Sequence, residues 1–198
     1  MSSRHLVRTW EILPSRGYST AWLDLTERGL TARGRDMGLV PEPYWVTYTL
    51  NTADDYVTSR LYVTVETAAA TKTLDLRNDA GRWTADGEYR PDLDGALDCD
   101  LGLCPLTNTM PVLRHGLHRQ PGTDPHHFLM AWVAVPDLEV SAIRQTYTHL
   151  ARAEHGARIR YESGDFRSDV EFDVDGLVLD YPVLATALTR SSPPPTPA

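Results

Sequence analysis

Four aspartates at short intervals, Asp92, Asp94, Asp98 and Asp100, are the first residues whose type and spacing could do chemistry. Clustered carboxylate oxygens are what a hard cation such as calcium requires. An EF-hand loop, however, needs Gly at its sixth position and Glu at its twelfth, and the segment from Asp92 carries Leu97 and Leu103 there. The aspartates also interleave with Leu93, Leu97, Leu101 and Leu103, an alternation that puts carboxylates on one side of an extended chain and apolar groups on the other. The pattern therefore points to turns and a solvated or arginine-paired face, and no metal is assigned.

The other reactive types give no catalytic signature. His115 and His118, and the adjacent His126 and His127, lack both the Glu of a metalloprotease helix and cysteines at zinc-finger spacing. No serine stands in a Gly-x-Ser-x-Gly elbow, and Gly29, Gly34 and Gly38 fit neither nucleotide-binding fingerprint. Cys99 and Cys104 read as two free or buried thiols. What remains is an inventory of Trp and Tyr, including Trp10, Tyr18, Trp22, Trp45, Tyr147 and Tyr161. Such rings offer an apolar body and one polar handle, which suits a pocket for an acyl chain with a sugar or other polar head. Sheet core and cross-strand pairing is the competing use of the same rings.

The elements that must position these residues are strands. From Tyr56 to Thr67, Val57, Leu61, Val63 and Val65 alternate with Thr58, Arg60, Tyr62, Thr64 and Glu66. Similar alternation runs over Val7 to Leu13, Tyr18 to Leu25, Tyr44 to Asn51, Thr71 to Arg77, Phe128 to Val135, Gln145 to Arg152, Arg158 to Glu162 and Phe166 to Val174. Turn formers such as Asp86-Gly87, Ser163-Gly164-Asp165 and Asp175-Gly176 separate the runs. This predicts a mainly β protein with sequential strands paired antiparallel in a meander. Short helices are expected at Pro182 to Thr189 and around Leu138 to Arg144. The Pro- and Gly-containing stretch from Arg90 to Gly116 reads as a long connection across an edge or mouth of the sheet.

A chain of 198 residues with 41% hydrophobic residues and 23% charged fits one β domain, here residues 1–190. Residues 191–198, Ser-Ser-Pro-Pro-Pro-Thr-Pro-Ala, read as a disordered tail. A net charge of −8 with scattered basic residues offers no footprint for nucleic acid. No window reaches the roughly 20 apolar residues of a membrane span, and Met1 to Leu13 lacks a signal-peptide core, so the reading is cytoplasmic with no integral membrane segment.

Gly81-Arg82-Trp83, Asp92-Leu93-Asp94-Gly95-Ala96-Leu97-Asp98 and Pro105-Leu106-Thr107-Asn108-Thr109-Met110-Pro111 together resemble the bacterial putative glycolipid-binding family. Val135-Pro136-Asp137-Leu138-Glu139-Val140, Arg144-Gln145-Thr146-Tyr147, Tyr161-Glu162-Ser163 and Asp180-Tyr181-Pro182 extend the likeness through the second half. The resemblance implies a fold similar to bacterial lipoprotein carriers: a strongly curved antiparallel sheet, a half-open barrel with a few short helices on its concave side. It also implies a carrier or binder of lipid-like molecules and implies no enzyme activity, and no cofactor is assigned. Cys99 and Cys104 depart from the family pattern and fit as small apolar groups.

Two function classes follow. In the leading one, the concave sheet face and the central loop hold an amphipathic, glycolipid-like small molecule without catalysis. Trp10, Trp22, Asp98, Asp100, Asn108, Arg114, Arg144, Tyr147 and Tyr161 are the residues expected to bind it or to order the site. In particular, Asp98, Asp100, Asn108 and Arg114 are expected to form a polar cluster, with Arg144 as a further partner. The alternative is an enzyme on a polar lipid or sugar, with Asp98 or Asp100 and Arg114 or Arg144 in acid–base roles. A partner-binding module that adds a strand at an exposed sheet edge is a third class.

Overall fold

Inward apolar side chains at every second position, joined by tight turns, make each strand of the first half a hairpin partner of the one before it. The computed structural model describes residues 3–119, 122 and 124–188. The first meander runs through β1 (Arg4–Ile12), β2 (Gly17–Leu25), β3 (Leu30–Gly38), β4 (Tyr44–Thr52), β5 (Thr58–Thr67), β6 (Thr71–Asp79), β7 (Arg82–Ala85) and β8 (Glu88–Tyr89). A second follows in β9 (Asp98–Leu101), β10 (His126–Val133), β11 (Val140–Ala153), β12 (Gly156–Ser163), β13 (Phe166–Asp173), β14 (Val178–Tyr181) and β15 (Ala185–Ala187).

The two meanders join where β15 pairs with β1, Trp10 opposite Ala187 and Ile12 opposite Ala185. Among the described residues this gives one sheet of fifteen strands, with β8 and β9 at its unclosed ends. All pairs are antiparallel except β9 with β10, which run parallel with Asp98 opposite Met130. Inward residues from both meanders share one apolar core, so the sheet wraps around its own concave side.

That concave side is covered by the central segment. Short 3-10 turns at Pro91–Leu93 and Pro105–Asn108 lead into α1 (Thr109–Arg114) and bury Leu93, Cys104, Leu106, Met110, Val112 and Leu113. The connection expected across an edge or mouth therefore folds beneath the sheet. Thr58 fastens it: its hydroxyl accepts from the Cys99 amide at 3.1 Å and its own amide donates to the Leu97 carbonyl at 3.0 Å. Both cysteines are free and buried.

Neither expected helix forms. Leu138 and Glu139 follow a turn at 135–137 and lead into β11, and the described part of Pro182 to Thr189 is a turn and β15, where pairing with β1 outweighs local helix preference. The proline-rich tail and Thr189 lie outside the described residues. Strand β3 carries no alternation of large apolar groups because its inward positions are Leu30, Ala32, Gly34, Asp36 and Gly38. The two glycines make room for rings from β4. A Cβ on Gly34 would lie 2.2 Å from the Tyr48 ring, and one on Gly38 would lie 2.4 Å from the Tyr44 ring. Two alternation phases also differ from expectation. A register shift between Asn51 and Thr52 turns Thr58 inward, and at the end of β13 Asp173 is buried while Val174 is exposed.

Candidate ligand-binding site

The central segment brings most of the polar candidates together inside the sheet. Arg114, at the end of α1, pairs with Asp98 through both guanidinium nitrogens, Nη1 donating to Oδ2 at 2.8 Å. Its Nε donates to the Asp55 carbonyl at 2.8 Å and its Nη2 to the Tyr56 carbonyl at 3.2 Å. Burial lifts the Asp98 carboxyl above the ordinary carboxylate range, and Arg114 opposes that rise. Asp100, two residues on, accepts from the Thr107 hydroxyl at 2.8 Å and from the Gln145 amide at 2.5 Å. Its carboxyl is also raised, again chiefly by burial.

Gln145 passes the network on. Its Oε1 accepts from the Tyr147 hydroxyl at 3.2 Å, and that hydroxyl accepts from Asn108 Nδ2 at 2.9 Å. One chain of hydrogen bonds thus ties β9, the 3-10 turn and β11, leaving the acidic groups engaged rather than facing open space. Tyr161 packs edge-on to Tyr147 at 5.3 Å between centroids, with Tyr181 and Phe166 beyond it.

Three candidates stand elsewhere. Trp10 is fully buried in the core, its indole donating to the Val178 carbonyl at 2.8 Å. Arg144 is exposed on the outer side of β11 and does not join the cluster. Alternation along the strand turns Gln145 inward instead, so Gln145 takes the place expected for Arg144. The concave face, expected to hold the ligand, carries the chain's own central segment.

Trp22 leads to a different surface. Strand register sets out the outer face of β1–β5 in rows: Val7, Trp22, Arg33, Thr49 and Tyr62 stand opposite one another. The next row is Thr9, Thr20, Arg35, Thr47 and Thr64, and the one after it holds Tyr18, Met37 and Trp45 between Glu11 and Glu66. A row of hydroxyls with one arginine therefore lies between two rows bearing aromatic rings. The Arg33 guanidinium sits 5.8 Å from the Trp22 ring centroid. Three adjoining depressions of about 660, 660 and 510 Å³ open on this face, and Trp22 walls all three. Trp45 is 66% exposed. Exposed rings on this face are thus flanked by polar side chains.

Sequence reasoning did not single out Arg33, Arg35 or Met37, and it counted Trp45 among the aromatic rings without placing it in the site. The signal was present: in Tyr44 to Asn51 the inward phase is Tyr44, Val46, Tyr48 and Leu50, which puts Trp45 in the solvent phase.

The sequence profile of the family described as "Putative glycolipid-binding" matches residues 7–187. The chain belongs to this family. A crystal structure of a DUF1089 family protein from Pseudomonas aeruginosa is similar with a TM-score of 0.72 and 29% identity, covering 86% of this chain and 92% of that one. A β-barrel-like protein of the domain of unknown function DUF1849 from Brucella abortus aligns with a TM-score of 0.54 over 94% of this chain and 95% of that one. At 8% identity this second likeness bears on the fold alone. A search of curated proteins gave no match.

Proposed function

We propose that this family member is a non-enzymatic binder of an amphipathic, glycolipid-like molecule, and that the ligand lies on the outer face of β2–β4. The observation that carries this reading is the meeting of three depressions at Trp22, beside a row of threonines and Arg35 and a second aromatic row with Trp45. Rings stack on the apolar faces of sugars, while hydroxyls and a guanidinium bond their oxygens. Tyr18, Met37 and Trp45 supply apolar area for an alkyl chain. The non-enzymatic part is supported by Asp98 and Asp100, whose bonds to Arg114, Thr107 and Gln145 hold the interior together.

Burial of a methylene contributes about 0.8 kcal/mol, so affinity rises with chain length by roughly fourfold per methylene at full burial. A fluorescence titration with alkyl glycosides of increasing chain length, below their micelle concentrations, tests this. Long-chain glycosides are expected to shift tryptophan emission and to bind better than the free sugars, and Trp22→Ala is expected to weaken them. Equal binding of long-chain glycoside and free sugar would sink the amphipathic reading.

A further inference from the structure

The two ends of the sheet differ in chemistry. At one end lie the connections 13–16, 39–43, 68–70, 164–165 and 182–184, as the pairings of Ile12 with Gly17 and Ala185 and of Tyr44 with Gly38 and Thr67 require. These tips are tied together: the Leu39 and Val40 amides donate to the Ser15 carbonyl, and the Leu13 amide donates to the Leu184 carbonyl. They expose Leu13, Leu39, Val40 and Val183, the last to 67%. Immediately behind them on the outer face stand Tyr18, Met37 and Trp45, and Phe166 lies at the same end against Tyr161 and Tyr181. Ala68, Ala69 and Ala70 add small apolar groups, and Arg16, Glu42 and Asp165 are the charged residues of these five connections. The opposite end exposes many charges, among them Arg4, Glu27, Arg28, Asp54 and Asp55.

We propose that the apolar end docks on the surface of a neutral lipid bilayer, with Leu13, Leu39, Val40 and Val183 entering it and Tyr18 and Trp45 resting at head-group depth. The order of side chains carries the assignment to lipid. Aliphatic groups lie on the loop tips and Trp and Tyr stand one step back, with Arg16, Glu42 and Asp165 as the charged residues among the tips. That is the depth profile of a bilayer interface, where amphipathic rings sit between acyl chains and water. With a single arginine among the tips and a net charge of −8, attachment depends on apolar insertion rather than on anionic lipid. Docking here would place the Trp22–Trp45 face beside the membrane from which an amphiphile is taken, so the inference extends the proposed function without depending on it.

The test is flotation of the full chain with phosphatidylcholine vesicles. Wild type is expected to float, with little loss on raising salt, and Leu39→Asp/Val40→Asp is expected to lower vesicle partition by about tenfold or more. Val174→Asp, an equally exposed aliphatic at the charged end, is expected to float as wild type does. Lipid brominated on its acyl chains should quench tryptophan emission, and Trp45→Phe should remove most of that quenching. Wild type that stays unbound, a double variant that floats normally, or a concentration-dependent dimer that the double variant dissolves in the absence of vesicle binding would each overturn the proposal. An alkyl glycoside titration on the double variant separates the two readings. Retained glycoside binding with lost flotation supports both, whereas flotation of wild type without glycoside binding supports this inference and removes the one before it.

Discussion

Replacing Asp36 with Asn should change how stability depends on pH. Asp36 projects inward from β3 and is buried, with no basic group among the influences on its ionisation. Its Oδ1 has no hydrogen-bond partner, and neighbouring Ser19 offsets only part of the cost of burial. Burial pushes its carboxyl up from 3.8 to about 7. The folded chain therefore keeps a proton on Asp36 between pH 3.8 and about 7 that the unfolded chain releases. Because the folded state binds more protons there, stability falls as pH rises through that window and levels off above it. At about 1.4 kcal/mol per pH unit, the full loss is about 4 kcal/mol. Asn keeps the shape and cannot ionise. The difference in unfolding free energy between Asp36→Asn and wild type should grow from near zero at pH 4 to about 4 kcal/mol at pH 8. Urea denaturation at a series of pH values measures it, and comparing the two proteins cancels the opposite slopes of arginine-paired carboxyls such as Asp75 and Asp92, which lie below the ordinary range. A difference that stays constant from pH 4 to pH 8 would refute the reasoning.

Other outcomes follow from the interior contacts. Arg114→Ala leaves the buried Asp98 without its cation and should cost about 3 to 5 kcal/mol in urea denaturation, whereas Arg144→Ala, on the solvent side of β11, should stay within about 0.5 kcal/mol. Burial pushes the Cys99 thiol up to about 12 and the Cys104 thiol well above its ordinary value, so both should resist a thiol-reactive disulfide reagent at pH 8 until the chain is unfolded.

Much of the architecture was legible because hydrophobic alternation and turn residues are local properties. The hairpins around Asp86-Gly87, Gly164-Asp165 and Asp175-Gly176 occur where those residues stand. Strand β3 was not legible, since Gly34 and Gly38 face inward to receive Tyr48 and Tyr44, and no periodicity records a ring supplied by a neighbouring strand. The end of the chain misled for a related reason: β15 exists through its pairing with β1, over 170 residues away. In the interior, the residue types of the central segment pointed to a polar cluster, but the choice between Arg144 and Gln145 depended on strand phase. The outer face needed the register of five strands before Trp22, Arg35 and Trp45 became neighbours.

The location of the ligand is the central claim, and amide and indole chemical-shift mapping with decyl maltoside below its micelle concentration tests it most directly. The account predicts that the largest shifts fall on the indoles of Trp22 and Trp45 and on the amides of β2, β3 and β4. Shifts confined to interior residues such as Leu106, Tyr147, Tyr161 and Tyr181, with Trp22 and Trp45 unmoved, would contradict it.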